Sequence, residues 1–223
     1  MDATLLERDG SAAALDQLMS SAREGTGRVA IVGGEAGVGK TSLIERFVEH
    51  NRSSATVLWG ACDALSTPRT LGPLRDISLQ SGVRLQTLLD EKADGATLFA
   101  AFLDDLRRSG RPSIVVFEDV HWADEATLDL IKFLGRRIQH TPALFILTYR
   151  DDEVGADHPL TAVFGDLPTR SLTRVRLQPL SPSAVATLAE TANLPREDGD
   201  QLYAATGGNP FFVTEVLAST SPG

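Results

Sequence analysis

The sequence predicts an α/β fold in which a five-stranded parallel sheet lies between two layers of helices. Short β-branched segments alternate with amphipathic segments from residue 11 to about residue 180, a pattern typical of a parallel sheet covered on both faces. Beyond residue 180 only helical segments follow. We therefore expect an α/β core over residues 1–180 and a small helical region over residues 181–223.

Local signals justify each element in turn. The alanine-rich segment 11–24 predicts a helix with Ser11 as N-cap and Gly25 as stop, and the β-branched run 28–33 predicts a buried strand. Pro68, Gly72, Pro73 and Gly82 divide residues 63–94 into loops and short helices. The other expected strands are 55–61, 112–119, 142–150 and 171–180, and the other expected helices are 41–51, 95–109, 123–140, 158–170, 181–193, 195–206 and 209–219.

Composition excludes several classes of protein. The chain has 223 residues, 42% of them hydrophobic, so it can bury a core, but its net charge of −9 disfavours direct binding of nucleic acid. The single cysteine, Cys62, excludes an intrachain disulfide, and the four histidines lack the spacing of metal ligands. The N-terminus does not resemble a signal peptide, and no apolar run is long enough to span a bilayer. We expect a soluble cytoplasmic domain that is part of a longer chain.

Residues 34–41, GEAGVGKT, fit the phosphate-loop (P-loop) pattern G-x-x-x-x-G-K-[ST] at every fixed position. Glycines let such a loop fold so that its backbone N–H groups face a polyphosphate, and the next helix offers its N-terminus to the same anion. Lys40 would contact the β- and γ-phosphates, and the Thr41 hydroxyl would bind Mg²⁺. The alternative is an ordinary glycine-rich turn, but the flanking strand and helix favour a nucleotide site. Its expected members are Gly34, Glu35, Ala36, Gly37, Val38, Gly39, Lys40, Thr41 and Ser42.

Two adjacent acids, Glu118 and Asp119, end the expected strand 112–119. A P-loop needs an acid at the tip of a neighbouring parallel strand to hold Mg²⁺ through water. The expected strand 55–61 lies between the two in the chain, which resembles the branch of P-loop ATPases with an extra strand between these elements. That resemblance implies Glu118 for Mg²⁺ and Asp119 as general base, each differing from the usual residue by one methylene, which would slow hydrolysis. The alternative is an acid that only caps the strand end and faces solvent.

Several motifs in this order resemble one family along nearly the whole chain. They are LLERD, GEAGVGKTSL, VVFEDVHWADEATLDLIKFLGRR, LTYRDDE and TGGNPFFVTEVL, and they run from residue 5 to about residue 217. Together they resemble the nucleotide-binding domain of the large ATP-binding regulators of the LuxR family. These belong with the signal-transduction (STAND) ATPases and are similar to AAA-type ATPases.

The resemblance implies roles for four further residues. Thr148 and Arg150 match a polar-then-arginine sensor of the γ-phosphate, at the end of a central strand where ligands bind in open α/β sheets. Arg150 has the alternative of a surface ion pair with Asp151 or Asp152. Pro210 matches a proline that packs near adenine and links nucleotide state to the position of the helical region, with a plain helix start as alternative. Arg8 matches an arginine beside the base. Trp122 is more typical of a core residue than of a ligand contact.

These inferences predict a domain that binds ATP or ADP with Mg²⁺, hydrolyses ATP weakly and switches an output domain. The resemblance implies that the output domain lies C-terminal and binds DNA in transcriptional regulation, and it allows a homo-oligomer. The main alternative is an interaction or oligomerisation module that holds ADP without hydrolysis. A small-molecule kinase is disfavoured because it would need an arginine-rich lid. Residues 151–170 contain several acids but a single arginine, Arg170.

Overall fold

The computed structural model of the protein describes residues 5–65, 67, 69–80, 83–192 and 195–220. Pro68 and Gly82, two of the expected helix breakers, lie outside these residues. None of the helices in these ranges combines the length and the apolar character needed to cross a bilayer. The strands are β1 (Arg28–Gly33), β2 (Thr56–Ala61), β3 (Ser113–Glu118), β4 (Ala143–Tyr149) and β5 (Leu172–Arg176).

Helices follow the strands in the order expected of a parallel sheet. Residues 63–94 are expected to form loops and short helices, and their described part contains the short helices α3 (Gly72–Ser78) and α4 (Val83–Asp90). The helices are α1 (Asp9–Arg23), α2 (Lys40–Asn51), α3 (Gly72–Ser78), α4 (Val83–Asp90), α5 (Gly95–Arg108), α6 (Glu125–Gly135), α7 (Pro159–Asp166), α8 (Pro182–Thr191), α9 (Arg196–Thr206) and α10 (Pro210–Thr220). The predicted N-cap Ser11 is wrong, because α1 already begins at Asp9 and Arg8 is its N-cap residue.

The five strands form one parallel sheet in the order β2-β3-β4-β1-β5. The predicted α/β fold is therefore confirmed, including an extra strand between the P-loop strand β1 and the acid-bearing strand β3. That strand is β4, however, and β2, which precedes β3 in the chain, lies at the edge of the sheet. Order along the chain does not reveal order across a sheet, since each crossover helix can carry the chain past a neighbour.

Hydrophobic side chains cover both faces of the sheet. On one face α1 and α2 pack Leu15, Met19 and Ile44 against the strands, whereas the larger cluster on the other face includes Phe117 and Phe145, whose rings meet edge to face. A third cluster, which includes Val185, Leu202 and Val213, joins α8, α9 and α10. The domain boundary predicted at residue 180 stays a prediction.

The edge strand β2 is protected by polar side chains. The Gln80 amide accepts a hydrogen bond from the backbone N–H of Trp59 and donates one to the Trp59 carbonyl, so it imitates a neighbouring strand. Asp76 of α3 accepts a hydrogen bond from the N–H of Ala61. These contacts satisfy backbone groups that would otherwise pair with another chain, and they hold the backbone of Trp59 in place.

Candidate nucleotide site

The P-loop connects the buried strand β1 to the N-terminus of α2. Gly39 is the N-cap residue of α2 and has φ 95°, a left-handed conformation that suits glycine. Lys40 begins the helix and is buried, whereas Thr41 and Ser42 in its first turn are exposed. The loop therefore presents a helix N-terminus and a hydroxyl group at the carboxyl end of a central strand, as an anion site requires.

Five consecutive carbonyl groups of the loop accept hydrogen bonds from outside it or from Lys40. The Lys40 ammonium group donates to the carbonyls of Gly34 at 2.7 Å and Glu35 at 2.9 Å. The carbonyls of residues 36, 37 and 38 accept from the Asn209 amide, the Phe211 N–H and the Arg8 guanidinium at 2.8, 3.2 and 3.1 Å. In a trans peptide the N–H points away from the C=O, so the three carbonyls bound by Asn209, Phe211 and Arg8 turn the N–H groups of the same peptide units toward the opposite side of the loop.

The ammonium group of Lys40 is partly shielded from water. Burial lowers the pKa of its ammonium group, and Asp119 opposes that shift. Its two carbonyl partners belong to the loop itself, so a phosphate group could replace them with a stronger charge-assisted partner.

The Thr41 hydroxyl and the Glu118 carboxylate meet across the gap between α2 and β3. Thr41 Oγ1 donates to Glu118 Oε1 at 2.7 Å. The other carboxylate oxygen, Oε2, accepts from the indole N–H of Trp59 at 2.9 Å. Both expected metal-holding residues are therefore in direct contact, and a third residue, which the sequence analysis missed, completes the environment of the carboxylate.

Asp119 has different neighbours from the adjacent acid. Its backbone is left-handed, with φ 52°, a conformation that aspartate tolerates better than most residues, and it begins a short 3₁₀ turn. Its N–H donates to Thr148 Oγ1 on the neighbouring strand at 2.9 Å, which links one expected γ-phosphate sensor to the expected general base. Burial raises the pKa of the Asp119 carboxyl group, and Arg150 and Lys40 oppose the rise. The half-buried carboxylate thus does not simply face solvent.

His121 is buried between two acids. Its Nδ1 lies 3.9 Å from Asp119 Oδ1 and its Nε2 lies 3.5 Å from Glu153 Oε2. Within the described ranges neither nitrogen has a hydrogen bond, and the side chain is only 1% exposed. Burial lowers the pKa of the imidazole to about 4, so His121 is neutral at physiological pH.

Arg150 follows β4 and lies, like Asp119, at the carboxyl end of the parallel strands. Its guanidinium group pairs with Glu153 at 2.6 Å and lies over the Trp122 ring, 4.7 Å from the centroid. The alternative of an ion pair is thus realised with Glu153, and Asp151 pairs with Arg176 instead. Trp122, expected in the core, is half-buried, packs against the larger cluster and also contacts Arg150.

The start of α10 contacts the P-loop through Asn209. Besides its bond to the Ala36 carbonyl, the Asn209 amide donates to Glu35 Oε1 at 2.9 Å, and its oxygen accepts from the Phe211 N–H at 3.1 Å. A Cβ atom on Gly37 would lie 2.8 Å from Asn209 Oδ1, so the loop and the helix start approach closely. Pro210 is the first residue of α10. The contact with the loop thus involves the asparagine of the Gly-Asn-Pro motif, to which the sequence analysis gave no role.

The N-terminal segment holds the loop from the other side. Arg8 is buried, and besides the Val38 carbonyl it donates to the Gln178 carbonyl at 2.8 Å. The neighbouring Glu7 accepts hydrogen bonds from the backbone and hydroxyl of Ser181, the N-cap residue of α8. Arg8 and Glu7 therefore connect the P-loop to the start of the C-terminal helices.

The donor set around Thr41 and Glu118 fits Mg²⁺. Among the described residues no group of three or more histidine, cysteine, aspartate or glutamate side chains could hold a metal alone. Mg²⁺ usually takes one or two carboxylates, a hydroxyl, water and substrate phosphates. A hydroxyl in contact with a single carboxylate beside a P-loop matches this pattern. Cys62 is a buried thiol, and burial raises its pKa to about 12, which makes it a poor metal ligand.

Comparisons with known proteins agree with this architecture. An uncharacterized protein of Rhizobium meliloti (strain 1021) is 26% identical over 270 residues, and the match covers 97% of this chain but only about a quarter (25%) of that protein's length. The Walker-type ATPase PABY2304 of Pyrococcus abyssi is 17% identical with a TM-score of 0.63, over 93% of this chain and 65% of that one. Cdc6p from Pyrobaculum aerophilum is 16% identical with a TM-score of 0.58, over 83% and 49%.

A variant of RuvB from Thermotoga maritima is 12% identical with a TM-score of 0.56, over 95% of this chain and 60% of that one. At these identities the solved structures support the fold alone. A sequence profile of the AAA ATPase domain family, in contrast, matches residues 4–147. That match covers more than half of the 223 residues, and the chain therefore belongs to the AAA ATPase domain family.

Proposed function

We propose that this domain binds ATP and ADP with Mg²⁺, hydrolyses ATP slowly and acts as the switch of a bacterial signal-transduction regulator. The observation that supports the proposal best is the 2.7 Å hydrogen bond between the Thr41 hydroxyl and Glu118. It joins the first turn after a P-loop to an acid on another strand, although the two residues are 77 positions apart in the chain. These are the two protein groups that hold Mg²⁺ in P-loop proteins.

Each group around the loop has a chemical task in this proposal. Thr41 and Glu118 would hold Mg²⁺, which would supply neutralisation of charge on the phosphate oxygens. Lys40 exchanges its carbonyl partners for phosphate oxygens. Asp119 polarises the attacking water, and the rise in its pKa through burial makes it a better proton acceptor than an exposed aspartate.

Slow hydrolysis follows from the position of Arg150. Its guanidinium group pairs with Glu153 and stacks on Trp122, so it must leave both partners before it contacts a γ-phosphate. That exchange adds a conformational step to the reaction, and such steps limit turnover in many enzymes.

The switch operates through the C-terminal helices. Asn209 and the Phe211 N–H bind the carbonyls of Ala36 and Gly37, so a change of loop conformation on nucleotide binding alters the contacts that hold the start of α10. A ligand shifts such an equilibrium by as much as its affinities for the two arrangements differ. The motifs of the LuxR-family regulators suggest a DNA-binding output domain beyond residue 223, and an oligomer in cells remains part of the proposal.

Isothermal titration with ADP and MgCl₂ tests the nucleotide site. We expect Lys40→Ala to abolish ADP binding, since the variant lacks the ammonium group at the first position of α2 that would contact the phosphates. Lys132→Ala is the matched control, because this lysine lies on α6 and pairs with Asp166 at 3.2 Å. Equal binding by the wild type and Lys40→Ala would show that this loop does not hold the phosphates.

A second function, an ADP-holding interaction module without hydrolysis, is favoured by the engaged state of Arg150. Single-turnover assays with excess protein separate the two functions, because a pure binding module releases no phosphate from bound ATP. If phosphate release occurs and survives Asp119→Asn unchanged, Asp119 is not the base.

A further inference from the structure

We infer that Trp59 is a positioning residue that orients the Glu118 carboxylate toward Mg²⁺. The inference rests on the proposed function, since it assumes that Glu118 serves the metal. Trp59 lies on the edge strand β2 and belongs neither to the P-loop nor to the acid pair, and in the described part of the chain its side chain makes no hydrogen bond with Thr41 or Lys40.

The register of β2 and β3 explains how the indole reaches the carboxylate. Trp59 is paired with Val116, and Ala61 is paired with Glu118. Alternate residues of a strand share a face, so Trp59 and Glu118 lie diagonally across the two strands on the same face, a separation that an aromatic side chain can span. Ala61, directly beside Glu118, is too small to fill the space, so the indole can extend along the sheet to the acid.

The two oxygens of Glu118 have different partners. Oε2 accepts from the Trp59 indole at 2.9 Å, and Oε1 accepts from Thr41 at 2.7 Å. Indole is a donor only, so its partner oxygen is held by an N–H that cannot itself bind a cation. Oε1 is left on the side of Thr41, where the metal would be coordinated.

The extra methylene of glutamate makes such a contact useful. Glutamate has one more rotatable bond than the aspartate usual at this position, and more conformational freedom is lost when its carboxylate is held. A hydrogen bond to Oε2 restricts that freedom before the metal arrives. Groups that orient metal ligands in this way typically change metal affinity by about 10- to 100-fold when removed.

The backbone of Trp59 is itself held in place. Gln80 bonds to both its N–H and its carbonyl, so a single side-chain amide holds both backbone groups of the residue that contacts Glu118. The indole is also packed against the cluster formed by α1, α2 and the sheet. Trp59 therefore has the rigidity that a positioning residue needs.

The test measures Mg²⁺ dependence rather than turnover. ADP binding is titrated calorimetrically over a range of MgCl₂ concentrations and again with EDTA, using the wild type, Trp59→Phe, Glu118→Asp and the double variant. Phenylalanine keeps an aromatic ring on the sheet but removes the N–H donor. We expect Trp59→Phe to raise about tenfold the Mg²⁺ concentration at which half of the Mg²⁺-dependent gain in ADP affinity is reached. Its ADP affinity in EDTA should stay within about twofold of the wild-type affinity.

The double variant separates positioning from general support of the fold. Aspartate is one methylene shorter and cannot keep both contacts, so Trp59→Phe should change the Mg²⁺ requirement less than about twofold in the Glu118→Asp background. Equal effects in both backgrounds, an unchanged Mg²⁺ requirement in Trp59→Phe, or equal weakening with and without Mg²⁺ would each overturn the inference. Failure of the wild type to bind ADP at saturating Mg²⁺ would instead refute the proposed function, and this inference with it.

Discussion

Asn209 provides a direct test of the contact between the P-loop and the C-terminal helices. It is 5% exposed, and its side chain takes part in three hydrogen bonds: the amide N–H₂ donates to Glu35 Oε1 and to the Ala36 carbonyl, and the amide oxygen accepts from the Phe211 N–H. At about 1 kcal/mol for each bond, Asn209→Ala should lower the free energy of unfolding by about 3 kcal/mol. For a chain of this size that corresponds to a fall in Tm of about 6–12 °C.

Asn209→Ser is the matched control. A serine hydroxyl can still accept from the N–H at the start of α10, as N-cap residues do, but it cannot reach Glu35 and Ala36. We expect Asn209→Ser to lower the free energy of unfolding by about 2 kcal/mol. The difference between the two variants then measures the hydrogen bond to the Phe211 N–H, and the loss in Asn209→Ser measures the two contacts with the P-loop.

Urea unfolding and amide hydrogen exchange are the appropriate assays. Urea unfolding gives the change in stability, and exchange shows where it acts, because loss of the loop contacts should raise exchange in α10 more than in α2. Stability of Asn209→Ser within about 0.5 kcal/mol of the wild type, with unchanged exchange in α10, would refute the reasoning, since the two loop bonds would then contribute nothing.

Two further predictions concern packing and protonation. A Cβ atom on Gly60 would lie 2.2 Å from the Pro73 carbonyl oxygen, so Gly60→Ala should lower the free energy of unfolding in urea by about 1–3 kcal/mol. Gly165 lies in the last turn of α7 with open space around it, so Gly165→Ala should raise that free energy by about 0.5–1 kcal/mol. The opposite order of stabilities would contradict this packing of β2 against α3. The pKa of His121 is lowered to about 4, so between pH 6.5 and 4 the unfolded chain binds a proton that the folded chain does not, and stability should fall by about 3 kcal/mol as the pH is lowered. Unfolding free energies measured across this pH range should lose that slope in His121→Asn and keep it in His50→Asn, an exposed control; equal slopes in all three proteins would exclude His121 as the cause.

Much of the fold follows from sequence patterns that act locally. The β-branched run before GEAGVGKT and the helical period after it predict a strand, a loop and a helix, and the structure contains them at 28–33 and 40–51. Helix boundaries follow less directly, as Ser11 illustrates: it has the chemistry of an N-cap, but α1 begins at Asp9, and its N-cap residue is Arg8, whose guanidinium donates to the Val38 and Gln178 carbonyls. These two carbonyls lie 30 and 170 positions away in the chain, so no local pattern contains the contacts of this N-cap residue.

Local patterns are enough to predict the P-loop, the acid pair after a buried strand and the alternation of strands and helices, because residue spacing and side-chain chemistry are local properties. Which strands are neighbours depends on the packing of the whole chain, which places β4 between β1 and β3 and β2 at the edge of the sheet. The tertiary structure also decides the partners of each acid: Thr41 and Trp59 for Glu118, and Thr148 and His121 near Asp119. Those pairings depend on sheet order and register, which arise from the packing of the whole chain, so residues 59 and 118 can meet although nothing in the sequence between them indicates that they do.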